Sequence, residues 1–204
     1  ARDWRTVALS DVADVNPDTL KPRSAPSTIR YIDISSVSTG SVDHLQEMPF
    51  SDAPSRARRT VKADDILWSC VRPNRRSHVL LGTLPEHTIA STGFAVLRAR
   101  NVPASFLYRH VTADSFVKYL ENSATGAAYP AVKASDFESA PIACPSKDML
   151  RRFDAVVRPM DQLADELQRM NANLRAQRDI LLPRLVSGKL SVDDAERQVE
   201  EDAA

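Results

Sequence analysis

The sequence is short of glycine, cysteine and histidine, with 5, 2 and 4 of them among 204 residues. So few glycines leave no glycine-rich phosphate loop, and no G-x-S-x-G or H-E-x-x-H string occurs. His44, His78, His87 and His110 fall at no metal-ligand spacing. Cys70 and Cys144 suggest neither a disulfide framework nor a zinc site, and read as buried free thiols of a reducing cytoplasm. No apolar run approaches the roughly 20 residues that span a bilayer, and "ARDWRTVALSDV" holds no apolar core of the signal-peptide kind. "NPD" at 16–18 lacks the second proline and the aromatic of the N-P-P-[YF] motif of DNA adenine methyltransferases, and an ordinary turn accounts for it. No carboxylate cluster suggests a nuclease. The expectation is a protein without catalytic residues, metal or cofactor.

Net charge is also missing, since 27 basic residues balance 27 acidic ones. The balance is uneven along the chain. Residues 53–78 hold Arg56, Arg58, Arg59, Lys62, Arg72, Arg75 and Arg76 against Asp64 and Asp65, a net of +5. Residues 179–204 hold three basic residues against seven acids, a net of −4. Such asymmetry speaks of partners rather than of fold.

Two parts follow one another. Up to about Pro145 the chain is rich in proline, with short runs of strand character between turn signals. "TIRYIDISSV" (28–37), the nearly continuous apolar "DILWSCV" (65–71), "HVLLGTL" (78–84) and "GFAVLRA" (93–99) read as strands, and "SFLYRHVTADSFVKYLENSA" (105–124) reads as a helix. This mixture predicts an α+β fold, a globular mixed α/β domain over 1–145. A coiled-coil-type helix over 146–190 and an acidic tail over 191–204 complete the expected organisation. Ser146 is a good N-cap, with Asp148 in the first turn. Phe153, Met160, Leu167, Leu174 and Leu181 then fall at one heptad position, and Val156, Leu163 and Met170 at the other. The stripe is narrower than a globular core needs and suits a helix–helix seam about 55 Å long. Pro159 predicts a kink or two abutting helices, and Pro183 the helix end. The eight apolar residues are the expected interface of a homodimer.

Arg72, Asn74, Arg75, Arg76, Ser77 and His78 fill an expected turn between two strands. Arginine presents a planar fork suited to phosphate or guanine, and asparagine pairs with adenine. A charge run alone is more often a solvated loop that aids solubility. "RARR" at 56–59 and the small-residue turn "TGAAYPAVK" at 125–133, with Tyr129 and Lys133, favour nucleic acid. Tyr129 either stacks on a base or fills a gap in the core.

"RDILLPRLVSGKLSV" (178–192) resembles the segment that ends the conserved helix in specificity subunits of type I restriction–modification systems. The pattern is carried by Arg178, Asp179, Leu181, Leu182, Pro183, Arg184, Leu185, Ser187, Gly188 and Leu190. Other pieces agree in order: Trp4 and Leu9 of the opening element, "ADDILWSCVRP" with Asp64 where the family usually has Gly, "STGFAVLRA", and "GAAYPAVKASDFESAPIACP" leading into the helix. The resemblance covers essentially the whole chain. It implies a DNA target recognition domain followed by a spacer helix, non-catalytic and cytoplasmic, that positions methyltransferase subunits, and a restriction subunit where there is one, on double-stranded DNA of bipartite sequence. A complete specificity subunit has two recognition domains and two helices. This chain has one of each, as a natural half-subunit or an excised half. A coiled-coil adaptor that binds only protein is the competing reading, and a small DNA-modifying enzyme a third.

Overall fold

The computed structural model describes residues 4–190 and residue 197, so the acidic tail lies outside the described residues except for Arg197. The chain divides into two compact units, Ala1–Asp161 and Gln162–Ala204.

In the first unit β1 (Arg5–Ala8), α1 (Leu9–Val12) and β2 (Ala13–Val15) are followed by β3 (Thr28–Ile32) and the short pair β4 (Val37–Ser38) and β5 (Ser41–Val42). Next come β6 (Gln46–Pro49), β7 (Ala57–Thr60), β8 (Asp65–Ser69), β9 (His78–Leu80), β10 (Thr88–Ser91) and β11 (Phe94–Ala99). Helices α2 (Ala104–Val111), α3 (Asp114–Ser123) and α4 (Ala134–Glu138) precede β12 (Pro141–Cys144), which pairs with β1.

Two four-stranded sheets organise this unit. One has the order β2-β11-β8-β9 and is antiparallel throughout. The other, β6-β3-β10-β7, has one parallel pair, β3 with β10. Side chains alternate across a strand, and both faces of the first sheet are covered. Ile66 and Trp68 of β8 enter the core shared with α2, α3 and α4, together with Ala95 and Leu97 of β11. Leu67 of β8 with Phe94 and Val96 of β11 enter a second core with Ile32 and Ala90 of the other sheet. Burial on both faces is why "ILW" at 66–68 is unbroken apolar sequence. The Trp68 indole N–H is satisfied by Val111 O at 3.0 Å. Gly93 joins the sheets where a Cβ would meet Ile34 Cδ1 at 2.0 Å. Asp65, fully buried, takes both arms of Arg98 at 2.7 Å.

The expected helix over 105–124 is two helices. Thr112 ends α2 with its hydroxyl donating to Tyr108 O at 2.8 Å, and Ala113 is extended, which lets Asp114 open α3. The expected strand over 28–37 ends at Ile32, because Asp33 caps a 3-10 turn over Ile34–Ser36 by accepting from Ser35 N. "HVLLGTL" keeps strand geometry only to Leu80.

The long helix α5 (Lys147–Val186) runs through both prolines. Two abutting helices are not formed, and the helix outlasts Pro183 by three residues. Each proline removes one hydrogen bond to the carbonyl four residues back. On an exposed helix water takes that carbonyl, so the remaining ladder carries the helix through. Ser146 caps the start, its hydroxyl accepting from Met149 N at 3.4 Å. Within the first unit Leu150 is buried and Phe153 packs against Phe106 at 6.0 Å between ring centres. Asp154 accepts from the Ser105 hydroxyl at 2.6 Å, and Asp161 pairs with Arg109. In the second unit Leu163, Leu167, Met170 and Leu174 are each at least 50% exposed. No helix among the described residues is long and apolar enough to cross a membrane.

Candidate nucleic-acid interface

The arginine-rich stretch after β8 is a folded turn. Pro73–Arg75 form one 3-10 turn between two left-handed residues, Arg72 at φ 49 and Arg76 at φ 53. Left-handed geometry costs a non-glycine residue about 1–2 kcal/mol, so the surroundings must hold both. Arg72 N–H donates to Pro130 O at 2.7 Å, Thr39 donates its hydroxyl proton to Arg76 O at 2.9 Å, and Pro73 is buried beneath the turn.

These bonds also join the arginine turn to the "TGAAYPAVK" segment. Val71 bridges Ala131, and Val132 N–H donates to Cys70 O at 2.8 Å. Thr125 and Ala131 exchange two 2.9 Å bonds that close the loop carrying Tyr129. Arg72 stacks over the Tyr129 ring, 4.9 Å from its centre, while Tyr129 stays 58% exposed. Of the two readings open for Tyr129, the core filler is excluded. Asn74, Arg75 and Lys133 are exposed, and Ser77 is half-buried. Arg76 is tied to Asp114 at 2.5 Å.

His78 does not belong to this surface. It is 4% exposed, lies 5.5 Å from Trp68 between ring centres, and faces the Tyr108 hydroxyl. Burial holds its imidazole down at about 4, and Arg76 acts in the same direction, so the ring is neutral. It lies at the start of β9, where the alternation turns it inward.

The "RARR" group is dispersed in the same way. Arg56 is bound to Asp33 at 2.7 Å and to the Tyr31 hydroxyl at 3.1 Å. Arg58 lies over the Phe50 ring at 5.2 Å. Arg59 is half-buried beside Cys70, its Nε without a hydrogen-bond partner, and burial lowers its pKa. Burial in turn raises the Cys70 thiol to about 11 and leaves it protonated and unreactive. Cys144 is likewise a free, half-buried thiol.

One residue escaped the sequence reading. Helix α3 packs beside the 73–75 turn. Lys118, one turn on from Asp114, is exposed on the face that carries the Arg76 pair. The spacing was legible, but the phase of α3 depends on the break at Thr112–Ala113. Among the described residues no group of three or more His, Cys, Asp or Glu is placed to hold a metal.

Of the expected seam, Val156 and Met160 are 60% exposed, whereas Phe153 is spent on the domain's own core. Leu181 is half-buried.

No protein-family profile matches the chain. Among curated proteins, the Type I restriction enzyme HindI specificity subunit of Haemophilus influenzae is 20% identical over 176 residues, 84% of this chain and 38% of that protein. The MjaIX specificity subunit of Methanocaldococcus jannaschii is 33% identical over 78 residues, 38% of this chain and 18% of that protein. Among solved structures, the HsdS subunit from Thermoanaerobacter tengcongensis superposes with a TM-score of 0.66 at 28% identity over 89% of this chain. A chain from a structure of type I restriction–modification complex assembly superposes with 0.69 at 26% identity over 94%. The chain spans about half the length of these two solved chains, 47% and 50%. In sequence and in fold the chain is similar to specificity subunits of type I restriction–modification systems, over a length that holds one mixed α/β domain and one long helix.

Proposed function

We propose that this chain recognises a DNA sequence for a type I restriction–modification assembly and is not itself catalytic, the chemistry residing in methyltransferase subunits and, where present, a restriction subunit. The single observation that carries the reading is the union of the arginine turn, with Arg72, Asn74 and Arg75, and the small-residue turn that carries Tyr129 and Lys133. Exposed Arg75 and Lys133, half-buried Arg72 and an exposed aromatic fit the phosphates and bases of duplex DNA. Residues 1–145 are then the recognition domain and 146–190 the spacer helix. The adaptor reading is not favoured by the relatives named above, which are specificity subunits or chains from type I systems.

The proposal extends to assembly. Val156, Met160, Leu163, Leu167, Met170 and Leu174 expose an apolar stripe on α5 at heptad spacing, and a second copy in antiparallel orientation would cover it by two-fold symmetry. Such a homodimer would read a symmetric, split site with a spacer of fixed size. The test is titration of duplex DNA with the full chain, alone and with its methyltransferase subunits, across a salt series. Binding should weaken by orders of magnitude from low to physiological salt as counterions return to the phosphates. An affinity indifferent to salt would overturn the reading.

A further inference from the structure

The Arg72–Tyr129 stack is not explained by stability. The ring is 58% exposed, so little apolar area is removed from water, and Arg72 holds a costly left-handed backbone at φ 49. Yet both partners are closely fixed. The Arg72 amide is bound to Pro130 O at 2.7 Å, next in sequence to Tyr129. Gly126, at φ +99, sits where a Cβ would come to 3.0 Å from the Tyr129 carbonyl oxygen, so the loop is folded tightly against the Tyr129 backbone. Among the described residues Arg72 has this ring as its partner and no carboxylate.

A guanidinium held over a ring face loses part of its rotational freedom, while its N–H groups beyond the ring stay available to an acceptor. A phosphate accepts from many directions and gains little from an oriented fork. Guanine presents O6 and N7 side by side and takes two parallel donors only in plane. Resting on the DNA-recognition reading above, we propose that Tyr129 is a positioning residue that holds Arg72 for bidentate bonding to one guanine in the major groove. Tyr129 then determines specificity at a base it does not touch. Arg75 and Lys133, exposed and without carboxylate partners among the described residues, carry the phosphate contacts.

The experiment is selection of bound duplexes from a randomised pool by the full chain, in its complex where that is needed for binding, repeated with Arg72→Ala, Arg72→Lys, Tyr129→Ala and Tyr129→Phe. The parent chain should enrich a motif with one invariant G·C pair. Arg72→Ala and Tyr129→Ala should lose that same column, each with about a tenfold drop on the parent's motif and no drop on a duplex with that pair replaced. Tyr129→Phe keeps the ring and should keep the column. Arg72→Lys has no fork and should not. Melting temperatures of all four should stay close to the parent, because Tyr129 is exposed and Arg72, half-buried, has no ionic partner among the described residues. If Tyr129→Ala kept the column that Arg72→Ala lost, or if both lost affinity equally on every duplex, the inference would fail while the DNA reading stood. A parent chain that bound no duplex in any salt would overturn both.

Discussion

His78 Nδ1 lies 3.2 Å from the Tyr108 hydroxyl, and the two rings meet edge to face at 5.6 Å between centres. Burial of His78 shapes how the domain responds to acid. An unfolded histidine titrates near 6.5, whereas folded His78 is held at about 4. Between these values the unfolded chain binds the extra proton. Stability is therefore intact above about pH 6.5 and falls as the pH drops toward 4, by up to about 3 kcal/mol. His110, also lowered by burial, adds in the same direction. Urea unfolding midpoints measured from pH 7 to pH 4 should show this decline, and His78→Asn should flatten it. An unchanged slope in that variant would assign the decline to other groups.

Asp65 and Arg98 form the domain's buried ion pair, with hydrogen bonds from both Lys62 N–H and the guanidinium. Arg98→Met would strand a carboxylate that is fully buried, at a cost of about 3–5 kcal/mol. Adding Asp65→Leu should recover most of the loss, since a buried pair and an apolar replacement of similar volume are often equivalent. Denaturant unfolding of both variants checks the order.

Asp64 occupies a left-handed position at φ 68 and reaches Arg158 of α5 at 3.4 Å. Both side chains are largely exposed, so the pair contributes less than about 1 kcal/mol, similar to what glycine regains in relieved strain. Asp64→Gly should melt at or above the parent temperature. Asp64→Val, β-branched at positive φ, should lose about 1–2 kcal/mol. A Gly variant less stable than the Val variant would contradict this account.

Arg75 and Arg76 are neighbours in sequence but not in role. Arg76 is held by Asp114 at 2.5 Å, whereas Arg75 is exposed without a carboxylate among the described residues. Arg75→Ala should weaken DNA binding equally on all sequences and reduce the salt slope by about 1, with no change in melting temperature. Fluorescence anisotropy across a salt series measures both quantities. The double variant with Arg76→Ala should weaken binding further only if the Asp114 pair opens on DNA.

Leu167 and Leu174 are 50% and 59% exposed in the single chain. Leu167→Asp with Leu174→Asp would place unpaired charge at the proposed seam. Light scattering should give twice the chain mass for the parent and the single mass for the variant, with the helical signal largely kept. A parent of single mass at micromolar concentration would refute the homodimer and leave the recognition reading untouched.

Local patterns were legible wherever one rule dominates. The heptad stripe announces α5, the Ser146 cap starts it, and unbroken apolar sequence at "ILW" (66–68) reflects a strand buried on two faces. The presence of a basic turn after β8, and of an aromatic turn after α3, was also in the sequence. Their union was not. Val71 and Ala131 meet only because β8 and the approach to α4 are brought together by the fold, and no local pattern encodes a contact between residues so far apart. The same holds for the arginines. Sequence counts His78, Arg56, Arg58 and Arg59 with Arg72 and Arg75 as one charge cluster, but burial withdraws the first, Asp33 and Phe50 hold the next two, and Cys70 lies beside the last. Charge is a property of each residue alone. Whether it faces water, a carboxylate or the core is decided by strand register and by what packs opposite, and that is settled only in three dimensions.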